Sequence, residues 1–301
     1  MIRIACLVAL VACGAKPKPL PSAPPVSSRV PSAHEAILSL LPDGVQIVVE
    51  IDLVRLRKNG VVGEVVTKAL AQLGADARLP GLPVAVQGSP LAQSDAIVLA
   101  AYGVGTPQAA TITLLETKSE VTGGTRLSPE LVALGPDEWI GQLQARAAIA
   151  AEHPFAASAE FLRLRDHAMP AGATGAVLRI TARLPFDARI ALARQTGLET
   201  APAQLSLWAD VADDLAIVID ADSADPGDRK SKEAARRLAA VVHAALALAA
   251  NEPTIREIGV GTSLVDARLV AQGGWIRAII AIGPRHLARA IERARAMLGA
   301  S

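Results

Sequence analysis

Few residues in this chain are spaced for chemistry, and the densest cluster is acidic. The stretch DADSADPGD carries Asp220, Asp222, Asp225 and Asp228. Hard cations such as calcium take several carboxylate oxygens, so this spacing could hold a metal and serve a hydrolase or metal-dependent enzyme. It lacks the order of an EF-hand, in which acidic residues alternate before a glycine and a glutamate closes the loop. The plainer reading ends a strand near Asp220 and Asp222 and places Asp225 and Asp228 at the start of the next helix. There the helix dipole favours negative charge. The histidines His34, His153, His167, His243 and His286 are never at metal-ligand spacing. His243, seven residues after Arg236, falls on the polar side of its helix. GVGTP, from Gly103 to Pro107, lacks the Lys-Ser/Thr of a phosphate-binding loop and joins two strands, which predicts a hairpin turn. Neither a G-x-S-x-G elbow nor an H-E-x-x-H pair is present. We therefore expect no catalytic residue, no metal ligand and no cofactor.

The remaining reactive side chains are two cysteines, Cys6 and Cys13. With none further on, the body has no disulfide framework, thiolate site or cysteine nucleophile. Their setting is MIRIACLVALVACG: Arg3 gives a positive start, and nine apolar or small residues follow from Ile4 to Ala12. This is the grammar of a secretory signal, too short for the ~20 residues of a membrane-spanning helix. Leu10-Val11-Ala12-Cys13 resembles the lipobox of bacterial lipoproteins residue by residue. The resemblance implies a diacylglycerol thioether on Cys13, cleavage between Ala12 and Cys13, and acylation of the new amine. Two or three acyl chains anchor a protein stably, where one binds marginally. Gly14, where an Asp would favour inner-membrane retention, fits outer-membrane sorting.

Lys16 to Ser32 then supplies six prolines in seventeen residues. Such a tether favours polyproline II and reaches roughly 50 Å at ~3.1 Å per residue. The organisation expected is a signal peptide over 1–12, a lipidated cysteine and tether over 13–32, and two folded halves over 33–152 and 153–301.

The elements of the body are read from period and punctuation. Ser32 and Glu35 form a capping box before a helix over AILSLL. VQIVVEID reads as a strand, VVGEVVTKALAQLG as a helix closed by Gly74, and DAIVLAAYGVG with AATITLLETK as a strand pair. In the second half GAVLRITAR is a strand and PFDARIALARQTG a helix with proline at its start. QLSLWADVADDLAIVIDAD reads as a hairpin turning at Asp213-Asp214, followed by a long helix with an apolar stripe of Ala234, Leu238, Val241, Val242 and Ala245. VDARLVAQGGWIRAIIAIG reads as a hairpin about Gly273-Gly274. Its register sets Ala271 opposite Ile276, Leu269 opposite Ala278 and Ala267 opposite Ile280 on one buried face. The last helix carries a stripe of Arg285, Arg289 and Arg293 opposite Leu287, Ile291, Ala294 and Leu298.

ALGPDEWIGQLQARA and AIGPRHLARAIERAR share a strand end, Gly-Pro and a helix, while VVEIDLVRL and VLRITARLP begin the two halves. The class expected is α+β, antiparallel hairpins covered by helices, in the form of two tandem β-α-β-β-α units.

Composition excludes more partners than it suggests. Hydrophobic residues are 51% of the 301, but aromatics only 2%, too few for stacking platforms that bind sugars or single strands. Thirty basic side chains face twenty-nine acidic ones without a basic footprint, which argues against nucleic acid. The partners expected are a membrane, reached through the lipid, and an envelope protein or ligand of unknown identity. The function expected is a lipid-anchored envelope protein with a non-catalytic binding or structural role, with the Asp220–Asp228 enzyme as the alternative.

Overall fold

The computed structural model describes residues 33–76, 90–152, 157–222, 232–272 and 274–299. Cys13, the tether, Asp225, Asp228, His153 and Gly273 lie outside them. The chain is α+β, and ten antiparallel strands form one continuous sheet.

The first half begins with α1 (Ala33–Ser39) and β1 (Ile47–Asp52), whose β-branched Ile and Val residues suit a strand. Helices α2 (Leu53–Lys58), α3 (Gly63–Asp76) and α4 (Pro90–Gln93) lead to the hairpin β2 (Ala96–Tyr102) and β3 (Ala110–Glu116). A second hairpin, β4 (Thr125–Ser128) and β5 (Leu131–Leu134), passes through Gly135-Pro136 into α5 (Asp137–Glu152). The second half runs α6 (Ala159–Arg165), β6 (Leu178–Arg183), α7 (Phe186–Thr196), then the hairpin β7 (Gln204–Val211) and β8 (Leu215–Asp222). Three helices follow: α8 (Lys232–Ala250), α9 (Pro253–Ile258) and α10 (Gly261–Val265). The hairpin β9 (Arg268–Gln272) and β10 (Trp275–Ile282) and the helix α11 (Pro284–Gly299) complete the chain.

Strand order is β4-β5-β3-β2-β1-β6-β7-β8-β10-β9. Read outward from the centre, the two halves therefore follow the same path. They meet where β1 and β6 pair antiparallel, with Ile47 opposite Ala182 and Ile51 opposite Leu178. The halves of the sequence are thus two wings of one sheet, and the repeated Gly-Pro ends mark equivalent strands β5 and β10. The wings differ at their last helix. Ile140 and Leu143 of α5 pack with Leu131 and Ala133, whereas Leu287 and Ile291 of α11 join the core on the opposite face.

That opposite face, the helical face, holds the larger core. Strand residues such as Ile97, Leu115, Leu207, Ile217, Ala278 and Ile280 meet α2, α3 and α8 to α11 there. The second face is covered by α1, α5 and α6. Alternation along the strands settles which side chain goes where. The expected register of the last hairpin is observed, with Ile276 opposite Ala271 and Ala278 opposite Leu269. Ala234, Leu238, Val241 and Val242 are buried, and His243 is exposed. The helix expected to close at Gly74 continues to Asp76, because a helix tolerates one internal glycine at a cost of only ~1 kcal/mol. Glu35 lies 3.6 Å from Arg165, and Ser32, its partner in the expected capping box, lies outside the described residues.

The GVGTP stretch is a turn between β2 and β3. Its Gly105 has φ +82°, and a Cβ there would sit 2.5 Å from Ala191 Cβ on α7. The glycine lets the turn lie against a helix.

Candidate functional site

Four strands contribute charged residues of one network to the second face. Glu50 on β1, Arg179 on β6 and Asp220 on β8 are 2%, 5% and 0% exposed. Arg277 on β10 completes the set, its side chain 17% exposed. Each occupies the alternate position of an otherwise apolar strand. Buried charges require partners, and here α6 and the residues after it supply them.

The Arg165 guanidinium grips Glu50 with two bonds, Nε to Oε1 and Nη2 to Oε2, both 2.7 Å. Its Nη1 lies 3.6 Å from Glu35 and 3.5 Å from Asp166. Burial works to lower the Arg165 pKa, but the bonds and charge of Glu50 outweigh it and hold it above the usual value. Arg179 donates to Asp166. Its pKa moves the other way, depressed by burial and then by Arg165 beside it.

The second cluster is centred on Asp220. Arg277 donates from Nε to Oδ1 at 2.8 Å and from Nη2 to Oδ2 at 2.6 Å, and His167 Nδ1 lies 2.7 Å from Oδ2. Burial would push the Asp220 carboxyl up, but the bonds from Arg277 and His167 overcome it and keep it below the ordinary range. The His167 ring stacks on Trp275 with centroids 4.0 Å apart and planes 23° from parallel. Arg277 Nη2 also donates to the His167 carbonyl at 2.9 Å. Ser206 accepts from the Ala168 amide and donates to the Arg165 carbonyl, both at 3.2 Å. Together these contacts pin the segment after α6 to the sheet.

Beside this floor the second face opens into a groove of about 1260 Å³. Leu38 from α1, Leu41 just after it, Phe161 and Arg163 from α6, Thr181 within β6 and Trp275 at the start of β10 stand around it. Two of its acidic groups are already matched: Asp43 lies 3.8 Å from Arg146, and Glu160 3.0 Å from Arg183. Thr181 is 2% exposed, and its hydroxyl has no hydrogen-bond partner among the described residues.

Of the acidic cluster expected to carry chemistry, Asp220 and Asp222 lie on β8, and Asp225 and Asp228 lie outside the described residues. Asp220 is not a cation ligand in waiting, because both its oxygens are occupied by a guanidinium and an imidazole. Asp222 is buried at the end of β8. Among the described residues, no group of three or more His, Cys, Asp or Glu side chains is placed to hold a metal ion. His286 Nε2 lies 3.0 Å from the Gly259 carbonyl, and Arg285, Arg289 and Arg293 are exposed. His167, set aside in the sequence, is the histidine that joins the buried network. The signal available for that network was a charged residue inside an apolar β-branched run: IVVEID, VLRIT, AIVID and WIRAII.

No family model matches the sequence, and no curated protein matches it. Among solved structures, crystal form I of TP0453 is similar to this chain at a TM-score of 0.44 and 7% identity, over 85% of this chain and 96% of that one. No helix among the described residues is long and apolar enough to cross a membrane.

Proposed function

We propose that this is a lipid-anchored protein of the cell envelope, held to a membrane, with the outer membrane favoured, through acylated Cys13. Its body has a binding or organising role. The observation that carries the reading is the tetrad Leu10-Val11-Ala12-Cys13 followed directly by a proline-rich tether. The groove on the second face supports a binding role, since it is a large concave space lined by apolar and polar groups together. The test is mass spectrometry of the mature N-terminus beside membrane fractionation. Wild type should begin at an acylated Cys13 and sediment with membranes, and Cys13→Ser should lose both properties. A wild-type protein without lipid would end the reading.

The competing reading, a metal-dependent enzyme on the Asp220–Asp228 stretch, is weakened by the commitment of Asp220 to Arg277 and His167. Calorimetry with calcium separates the two. Micromolar binding abolished by Asp222→Ala would favour the enzyme.

A further inference from the structure

We infer that the groove on the second face takes an extended acidic peptide segment of a partner protein, with Arg163 and Thr181 as its recognition groups. The inference rests on the proposed binding role and names the chemistry of the partner.

Three observations carry it. The first is charge. Asp43 and Glu160 at the groove are answered by Arg146 and Arg183, while Arg163, exposed on α6, has no ion-pair partner among the described residues. The groove therefore has an unmatched positive charge. Arg183 can also turn to a ligand, because its pair with Glu160 is 60% and 58% exposed, and exposed pairs of this kind are worth only ~0–1 kcal/mol. An incoming carboxylate exchanges such a partner at little cost.

The second observation is the Thr181 hydroxyl. A buried polar group without a partner costs free energy that a ligand recovers on binding. Thr181 is among the residues around the groove, and its hydroxyl, one donor and an acceptor, is buried beside that space without a partner among the described residues. That demand is met by a peptide carbonyl or a carboxylate.

The third is the mixture of the lining. Leu38, Leu41 and Phe161 share the same space with Gln46, Ser158 and Gln204. An acyl chain would strip water from those amides and the hydroxyl and return nothing. An extended peptide presents backbone groups and side chains in turn, and both halves of the lining find a counterpart. A volume of about 1260 Å³ exceeds the ~300–1,000 Å³ of small-molecule sites and suits several residues of chain.

The test uses the full chain carrying Cys13→Ser, so that no acyl group competes, and fluorescence anisotropy of a fluorescein-labelled peptide of alternating glutamate and leucine. Its lysine–leucine counterpart is the control. The acidic peptide should bind and the basic one should not, with affinity falling as salt is raised. Arg163→Glu should weaken binding tenfold or more. Thr181→Val should weaken it about three- to tenfold, and Thr181→Ser should restore it; melting temperatures report whether the fold survives. Equal binding of both peptides, binding of neither, or no effect of Arg163→Glu would overturn the inference. So would displacement of the peptide by a neutral alkyl glucoside below its micelle concentration, which would make the groove an acyl site. An acylated Cys13 with no peptide binding would remove this inference and leave the anchored protein standing. Peptide binding without lipid would do the reverse.

Discussion

The two wings of the sheet follow one topology and solve the same covering problem with opposite chemistry. On the second face the first wing presents Val98, Ala100, Ile112 and Leu114 to α1 and α5, an apolar contact that needs only shape. The joining strands and the second wing present Glu50, Arg179, Asp220 and Arg277 to α6 and the segment after it, a contact that works only if every charge meets its partner. An apolar interface tolerates small shifts, because dispersion and burial are nearly indifferent to direction. Bidentate guanidinium–carboxylate pairs fix both distance and angle. The ionic floor therefore holds α6 in one position, and α6 forms one wall of the groove.

The comparison breaks most sharply at Glu50. Glu50→Ala leaves Arg165, 3% exposed at its side chain, without its bidentate partner, and should cost about 3–5 kcal/mol in chemical denaturation. Replacing both partners, Glu50→Leu with Arg165→Met, should recover most of that loss, since an apolar pair of similar volume is often neutral or better. If the double variant is as unstable as the single one, the ionic floor is structural in a way the apolar wing is not. Leu114→Ala, the matching cut in the apolar wing, should cost about 2–5 kcal/mol, and no polar rescue should restore it.

A smaller effect appears in acid. The Asp220 carboxyl is held below its ordinary range in the folded protein. Its contribution is therefore full above the unfolded value of ~3.9 and is lost as pH falls through the lower folded value. Wild type should lose stability below about pH 4, and Asp220→Asn should flatten that acid arm while lowering stability near neutrality. Melting curves from pH 2 to 7 check this, and an unchanged acid arm would show that the network does not depend on that charge. The smallest effect is expected at the rim. Arg183→Ala removes an exposed pair with Glu160 and should change stability by less than ~1 kcal/mol.

How much of this was legible in the sequence depends on the reach of each interaction. The last hairpin was readable at the pairs Ala271–Ile276 and Leu269–Ala278, because alternation favours a register that puts Ile276, Ala278 and Ile280 on one buried face. The exposed His243 and the hairpin turn of GVGTP were readable for the same local reason. The ionic floor was not, because its pairs join residues far apart in the chain: Glu50 with Arg165, His167 and Arg277 with Asp220. Asp220 was read as the end of a strand or a cation ligand. The strand does end there, at Asp222, but a neighbouring strand and the segment after α6 bring two donors to Asp220 that the sequence did not show. Sequence pattern assigns a face to each strand residue, but which charges share a face depends on strand order, and that order is set by long-range pairing.

The pairing of β1 with β6 has a consequence for how the chain is made. Until β6 exists, β1 has β2 on one side and an open row of backbone donors and acceptors on the other, with Ile47 waiting for Ala182. An uncovered strand edge invites pairing with other chains. Half of this protein is therefore a sticky object, and synthesis cannot stop safely at the end of the first wing. A chain cut after residue 152 should aggregate where the whole one does not, and contacts of such long range also fold slowly. The central seam that unites the wings in the finished sheet is, during biogenesis, its most exposed margin.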